Sequence, residues 1–167
     1  MSTPEQDVAA QFRLALRAVA STVMVLTVNH RDGRMGMTAT AVTPVSMEPP
    51  ALLMCVNRSG SVYAALREVD AVCVNVLGVG HAAVSEAFSC APNGEERFAV
   101  GRWESGWHGL PFLADAQANL FVQIDERITY GTHDILIGIV QQVRRARTIE
   151  PLLYVDGGVS RLRSRDE

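Results

Sequence analysis

The sequence lacks the cysteine pattern of a zinc protein or of a disulfide-rich one. Its 167 residues include three cysteines, Cys55, Cys73 and Cys90, which are widely spaced and form no C-x-x-C pair. An odd number of cysteines without paired spacing favours neither a zinc site nor a disulfide framework. Cys55 and Cys73 lie inside apolar runs, so we predict that both are small buried hydrophobic residues.

The sequence also lacks a basic excess and a long hydrophobic run. Its net charge of −3 argues against nucleic-acid binding. No apolar run is long enough to span a membrane, and the first seventeen residues contain no signal-peptide core. We therefore expect a cytoplasmic protein with neither a nucleic-acid nor a membrane partner. The length and the 48% hydrophobic content fit one domain over residues 1–167, with its core at about 12–159.

The common catalytic motifs are absent. The chain has no G-x-S-x-G, H-E-x-x-H or P-loop motif and no paired carboxylates, and its four histidines lack the spacing of metal ligands. We therefore assign no metal site and no catalytic side chain. An enzyme without such groups fits cofactor chemistry, in which the protein binds and orients while the cofactor reacts.

The N-terminal segment predicts a helix. Thr3 is a candidate N-cap, Pro4 suits the first turn, and Gln6 completes a capping box. Apolar residues then recur on one helical face, which we expect to pack over a barrel end; they are Val8, Phe12, Leu16 and Val19.

The remaining pattern predicts short strands with glycine and proline turns. Predicted strands cover residues 22–28, 34–42, 52–56, 71–77, 118–125, 133–144 and 152–155, and predicted short helices cover 62–67 and 81–89. Residues 91–112 are irregular and hold both tryptophans, which is typical of a lid or of a subunit interface. This pattern indicates a closed or partly closed barrel, and the missing G-x-G-x-x-G excludes a Rossmann domain.

The chemistry concentrates in residues 36–61, GMTATAVTPVSMEPPALLMCVNRSGS. Small residues at its start let a flat ligand approach the backbone. The Asn57–Ser61 segment offers hydroxyls, a guanidinium and amides before a predicted helix, which suits a phosphate. The two parts together predict a slot for a planar ring beside a phosphate seat. The alternative is an edge strand, a turn and an ordinary helix cap.

This stretch resembles the signature of the flavin reductase-like family with an FMN-binding split barrel. Four later segments resemble the family in the same order, and they lie at residues 74–77, 96–98, 131–133 and 151–154. The resemblance implies a mainly β fold, a six-stranded Greek-key split β-barrel with a few short flanking helices. It also implies NAD(P)H-dependent reduction of FMN or FAD by a homodimer, which supplies reduced flavin to a separate monooxygenase. Two alternatives stay open: a non-catalytic FMN-binding or electron-carrier protein, and a structural barrel with an empty slot.

The resemblance also implies a set of flavin-binding residues. Lining the isoalloxazine ring are Thr38, Ala39, Thr40 and Ala41. Around the ribityl chain and phosphate are Cys55, Val56, Asn57, Arg58, Ser59, Gly60 and Ser61, and the phosphate end is closed by Ser89 and Arg97. Asn75 is assigned to the flavin as well, with the alternative that it pins a neighbouring loop.

The chain departs from the family pattern at two places. The family often carries hydroxyls where this chain has Ala39 and Ala41, which leaves the choice between FMN and FAD open. It commonly has Gly-Asp-His where this chain has Gly131-Thr132-His133, with the acid displaced to Asp134. His133 is expected to position the nicotinamide of NADH or NADPH, with Tyr154 beside it. The alternative for His133 is a strand-end histidine that caps backbone.

Overall fold

The computed structural model describes residues 4–90 and 94–162, which are mainly β-strands. Its helices are α1 (Pro4–Leu16), α2 (Tyr63–Glu68) and α3 (Ala82–Cys90), and short 3₁₀ helices cover Val79–His81, Gly94–Ala99 and Trp107–Gly109. The strands are β1 (Ser21–Thr22), β2 (Met24–His30), β3 (Gly33–Ala39), β4 (Val42–Met47), β5 (Pro50–Asn57), β6 (Ala71–Val76), β7 (Trp103–Ser105), β8 (Pro111–Leu113), β9 (Ala118–Tyr130), β10 (His133–Arg145), β11 (Leu153–Val155) and β12 (Gly158–Ser160).

The main sheet is curled into a partly closed barrel. Its seven strands pair antiparallel in the order β3-β2-β6-β9-β10-β5-β4. The two edge strands β3 and β4 are consecutive in the chain and are joined only by Thr40 and Ala41. The two edges of the sheet must therefore lie close together. The predicted mainly β, split-barrel class is confirmed, with seven strands in the sheet where the resemblance implied six.

Alternating side chains of this sheet form two layers of core. The barrel interior holds a cluster that includes Leu26, Met54, Val74 and Leu136. Val25 on the outer face of β2 and Val23 just before the strand pack with α3 and with the segment that follows it. Successive residues of each strand thus face opposite sides of the sheet, as the two-residue period of a β-strand requires.

Residues 94–113 cover the outer face of the sheet. Trp103 packs on Phe88 and Phe98, with ring centroids 5.1 and 5.0 Å away, and its Nε1 donates to the carbonyl of Val100 at 2.8 Å. Trp107 packs against a second cluster that contains Phe112. Both tryptophans are half-buried and pack against core residues, since an aromatic ring gains by leaving water. The role of this segment as a lid or a subunit interface stays a prediction. Residues 91–93 of that predicted segment lie outside the described residues.

The expectation that the apolar face of α1 packs over the barrel was wrong. Val8 and Phe12 are 69% and 62% exposed, and Leu16 and Val19 are exposed as well. The helix is instead tethered at its end, where Arg17 Nε donates to Asp156 Oδ1 at 2.8 Å and Asp156 N donates to the carbonyl of Arg17 at 2.9 Å. The capping box proposed for Thr3 and Gln6 lies outside the described residues and side chains.

The cysteines differ in their environments, and all three are free. Cys73 is buried, and that burial raises the pKa of its thiol. Cys55 is only half-buried, because Met54 and Val56 on either side of it point into the barrel. In the described ranges no helix is long and apolar enough to cross a membrane, and no group of three or more His, Cys, Asp or Glu side chains could hold a metal ion.

Candidate functional site

The structure brings the two halves of the 36–61 stretch side by side. The β3–β4 link exposes Thr40 and Ala41, and the carbonyl of Ala41 accepts a hydrogen bond from Cys55 N at 2.9 Å. The chain then runs along β4, turns, and comes back along the antiparallel β5 to the same end of the barrel at Asn57. A small, exposed backbone segment therefore lies next to the polar turn that follows β5.

That turn is built by Asn57. Its Oδ1 accepts hydrogen bonds from Ser59 N and from Ser59 Oγ, both at 2.9 Å, and its carbonyl accepts from Gly60 N at 3.0 Å. This local closure is the typical use of Asn in a turn. Asn57, Arg58, Ser59 and Ser61 are all exposed. α2 has only six residues and therefore a weak dipole, so a phosphate in the predicted seat would depend on arginines for positive charge.

Arg97 supplies that charge from the middle of the chain. It is 5% exposed, and its Nη1 donates to the carbonyl of Gly36 at 2.6 Å while Nη2 donates to Ser61 Oγ at 3.3 Å. Gly36 is needed at this point because a Cβ there would lie 2.6 Å from Cε1 of Phe88. Arg97 therefore ties β3 to the turn after β5, which are the two halves of the predicted site.

The 3₁₀ helix that carries Arg97 is fixed by a second arginine. Arg34 on β3 forms an ion pair with Glu95, and its guanidinium lies 4.4 Å from the ring centroid of Phe98. The hydrogen bond from Arg34 lowers the pKa of Glu95. The pair keeps Glu95 ionised and holds the helix against β3.

Thr38 and Ser89 make protein contacts rather than pointing only to solvent. Both hydroxyls donate to the carbonyl of Ser85 at 2.8 Å. For Ser89 this bond stays within α3, whereas for Thr38 it joins β3 to α3. Both residues are partly accessible, so their predicted ligand role stays a prediction.

Three predicted flavin residues have buried side chains. Ala39 and Val56 face the barrel core, which leaves only their backbone for a ligand. Asn75 is 0% exposed, and its Nδ2 donates to Val25 O at 2.9 Å. Its Oδ1 accepts from Leu113 N at 2.8 Å and from Asn119 Nδ2 at 2.9 Å. Asn75 therefore pins the 113 segment, which was the alternative to flavin contact.

His133 lies beside the polar turn. It starts β10, where it is paired with Asn57 of β5 and with Tyr130 of β9, and the carbonyl of Thr132 accepts from Arg58 N at 3.0 Å. The imidazole Nδ1 lies 2.9 Å from Thr132 Oγ1. Thr132 thus takes the orienting position in which the family commonly has an acid. Tyr154 lies in a different sheet, where it is paired with Ser21. The two residues predicted to bind the nicotinamide, His133 and Tyr154, therefore belong to separate sheets.

One residue pair of this region is invisible in the sequence. Tyr63 Oη donates to Asp134 Oδ2 at 2.8 Å, and Thr129 Oγ1 donates to Asp134 Oδ1 at 2.9 Å. The Tyr63 bond is the main cause that lowers the pKa of Asp134. Because the two residues are 71 positions apart, no local pattern could have predicted their contact.

The residues that meet at this edge fit a flavin mononucleotide. The β3–β4 link offers exposed backbone and small side chains to a planar ring, and the turn offers the Ser59 and Ser61 hydroxyls. Arg58 and Arg97 carry the positive charge that a phosphate in the predicted seat would require. His133 is paired with the first residue of that same turn.

Known proteins of similar sequence and structure point to the same chemistry. Residues 16–163 match the model of the flavin reductase like domain. The chain is 41% identical over 143 residues to the FMN reductase (NADH) RutF of Pseudomonas syringae pv. syringae, which covers 86% of this chain and 80% of that protein.

Two solved structures have the same fold. The NADH:FAD oxidoreductase SgcE6 of Streptomyces globisporus C-1027, solved with NAD and FAD fragments, superposes with a TM-score of 0.88 at 27% identity, over 100% of this chain and 99% of that one. BorF, the flavin reductase component of a bacterial two-component tryptophan halogenase, superposes with a TM-score of 0.85 at 26% identity, over 94% and 99% of the two chains. The chain therefore belongs to the flavin reductase-like family.

Proposed function

We propose that the chain is an NADH-dependent flavin reductase that acts as a single domain and reduces FMN. The observation that carries this proposal is the Arg97 bridge, which joins Gly36 of β3 to Ser61 of the turn after β5. It assembles a ring slot and an anion seat from distant segments in a chain of this family. The names of the RutF and SgcE6 relatives, which include NADH, FMN and FAD, support the choice of substrates.

The residues of the site have binding and positioning roles. A flavin held by these residues would supply the hydride acceptor for the nicotinamide. Thr40 and Ala41 present small side chains and backbone to the ring, while Arg58, Ser59 and Ser61 hold the phosphate with Arg97 behind them. His133 positions the nicotinamide dinucleotide, with its imidazole held by Thr132. A hydride transfer needs no acid or base side chain at the reacting atoms, so orientation is the main contribution of the protein.

We also propose a homodimer that serves a separate flavin-dependent monooxygenase in the cytoplasm. The exposed apolar face of α1 and the half-buried Ile135, Ile137 and Ile139 of β10 support a covered surface in the assembly. The description of BorF as one component of a two-component system supports a separate acceptor of reduced flavin. Three free cysteines fit a reducing compartment. Sedimentation analysis of wild type against Phe12→Asp tests the dimer, since a charge on that face should favour the monomer.

A non-catalytic flavin carrier is the competing function. The deciding experiment follows NADH absorbance with pure protein and added FMN, FAD or riboflavin, under conditions in which reduced flavin is reoxidised by oxygen. The reductase predicts protein-dependent NADH consumption that saturates with FMN. Tightly bound yellow flavin without NADH consumption would favour the carrier. Absence of both flavin binding and NADH consumption would favour a structural barrel.

A further inference from the structure

The β9–β10 hairpin holds α2 at both ends. At the start of α2, the hydroxyl of Tyr63 donates to Asp134 of β10 at 2.8 Å. At its end, Arg127 of β9 donates from Nη1 to the carbonyl of Leu66 at 2.8 Å and from Nη2 to the carbonyl of Val69. The second contact satisfies carbonyls that a helix end leaves open. The short helix is thus fixed to the hairpin rather than to the barrel alone.

The same hairpin carries His133 at its turn. Asp134 follows His133 directly and is paired with Val56, one residue before Asn57 begins the polar turn. A third contact, from Arg58 N to the carbonyl of Thr132 at 3.0 Å, joins the turn to the hairpin backbone. The polar turn, α2 and the His133 hairpin therefore form one connected unit.

Asp134 is the side chain that closes this unit. It is 6% exposed, and its two oxygens accept from Tyr63 on α2 and from Thr129 on β9. The Tyr63 hydrogen bond lowers the pKa of Asp134 against the opposing effect of burial, and Thr129, Arg58 and Arg67 lower it further. The carboxylate is consequently ionised at neutral pH, where its hydrogen bond from Tyr63 is charge-assisted.

We propose that Asp134 is a positioning residue that, through Tyr63, fixes the polar turn and the His133 hairpin in one geometry for flavin phosphate and nicotinamide. This inference rests on the proposed function, since it deepens the roles given there to Ser59, Ser61 and His133. The two hydrogen bonds of Asp134 have different consequences. The bond from Tyr63 crosses from the hairpin to α2, whereas the bond from Thr129 stays within the hairpin.

That difference provides a matched control. Tyr63→Phe removes the bond that crosses to α2, and Thr129→Val removes an equivalent hydroxyl from the same carboxylate. We expect Tyr63→Phe to weaken FMN binding about tenfold and to raise the KM for NADH several-fold, as loss of a charge-assisted hydrogen bond would. Riboflavin, which has no phosphate, should lose less than about twofold in affinity. Thr129→Val should leave both ligands near their wild-type affinities.

A second pair of variants tests the carboxylate itself. Asp134→Ala should reproduce the Tyr63→Phe losses, and Asp134→Asn should restore part of the FMN affinity because its amide oxygen still accepts from Tyr63. Flavin affinities are measured by fluorescence quenching, which needs no turnover, with circular dichroism as the folding check.

Two results would overturn the proposal. One is equal weakening of FMN and riboflavin in Tyr63→Phe, and the other is an identical response of Tyr63→Phe and Thr129→Val. Failure of the proposed function would look different, because wild type itself would then consume no NADH with FMN whatever the variants do.

Discussion

Two polar regions of the molecule contain similar residue types and play opposite parts. Around Asn75, buried amides and the Thr27 hydroxyl are bonded to one another, to backbone and to the Cys73 thiol, as in the Asn75 Nδ2 to Thr27 Oγ1 bond of 3.1 Å. In the turn at 57–61, the amide of Asn57 shapes the backbone while Arg58 and both serines stay exposed.

The two regions differ in the partners of their hydrogen-bonding groups. A buried amide must be satisfied by the protein, because an unpaired polar group in the core is costly. The exposed Ser61 hydroxyl accepts from Arg97 and keeps its own proton for a ligand, whereas the Ser59 hydroxyl must turn from Asn57 to donate to one. Burial therefore separates a residue that pins the fold from one that is available to a ligand, even though both regions contain an asparagine that shapes the same barrel.

The largest expected effect is on stability, from the buried region. Asn75→Leu leaves Leu113 N without its acceptor and removes one of the two acceptors of the Asn119 amide, so the free energy of unfolding should fall by about 3 kcal/mol. The FMN affinity of the molecules that remain folded should not change. Urea unfolding and fluorescence titration measure the two quantities. A variant with wild-type stability and weak FMN binding would show that Asn75 acts in flavin binding rather than in holding the fold.

The next effect is on phosphate recognition, from the exposed region. Ser59→Asp places a negative charge in the proposed anion seat, so FMN affinity should fall on the order of tenfold while riboflavin affinity stays nearly constant. Ser160→Asp, at an exposed position in β12, is the control for added charge alone. Parallel losses for both flavins would place the phosphate elsewhere.

A smaller effect is expected for the nicotinamide. His133→Ala should raise the KM for NADH by an amount equivalent to about 1 kcal/mol and leave FMN affinity unchanged, because it removes one positioning contact. Thr132→Val keeps the imidazole but removes the hydroxyl 2.9 Å from its Nδ1, so its effect should be intermediate. Steady-state kinetics with each substrate varied separates these cases. Normal KM and turnover in His133→Ala would make the residue structural.

The smallest effect concerns the exposed Arg34–Glu95 pair. Glu95 is 66% exposed, so Glu95→Gln should cost only about 0.5 kcal/mol of stability at neutral pH. Since the pair lowers the pKa of Glu95, its contribution is present above the unfolded pKa and disappears as the pH falls through the folded one. The unfolding temperatures of wild type and Glu95→Gln, measured across that pH range, should therefore converge in acid. A difference that persists or grows in acid would contradict the ion-pair account.

Local sequence pattern predicted most of the barrel strands. The β-branched run at 22–28 and the Asp32-Gly33 turn became the β2–β3 hairpin, and the apolar run at 52–56 became β5. These features depend on neighbouring residues, so one sequence suffices to find them. β12 was missed because Gly158–Ser160 is short and mostly polar, and it forms only by pairing with β11.

Long-range packing limited the remaining predictions. The segment that holds Trp103 was predicted to be a lid or a subunit interface because its pattern is irregular. Local pattern did not reveal that Trp103 packs on the rings of Phe88 and Phe98. In the site, the composition of residues 36–61 indicated a ring slot and an anion seat. It did not indicate that Arg97 bridges them or that Tyr63 meets Asp134, since both contacts require the folded barrel.

The central claim is that the exposed β3–β4 link receives the flavin ring. The most direct measurement is an FMN titration of Ala41→Trp, with Val45→Trp as the control at an exposed position on β4. We predict that the indole at position 41 abolishes FMN binding in a folded protein, because it fills the slot, whereas Val45→Trp binds FMN as wild type does. FMN affinity in Ala41→Trp equal to that of wild type would contradict the account.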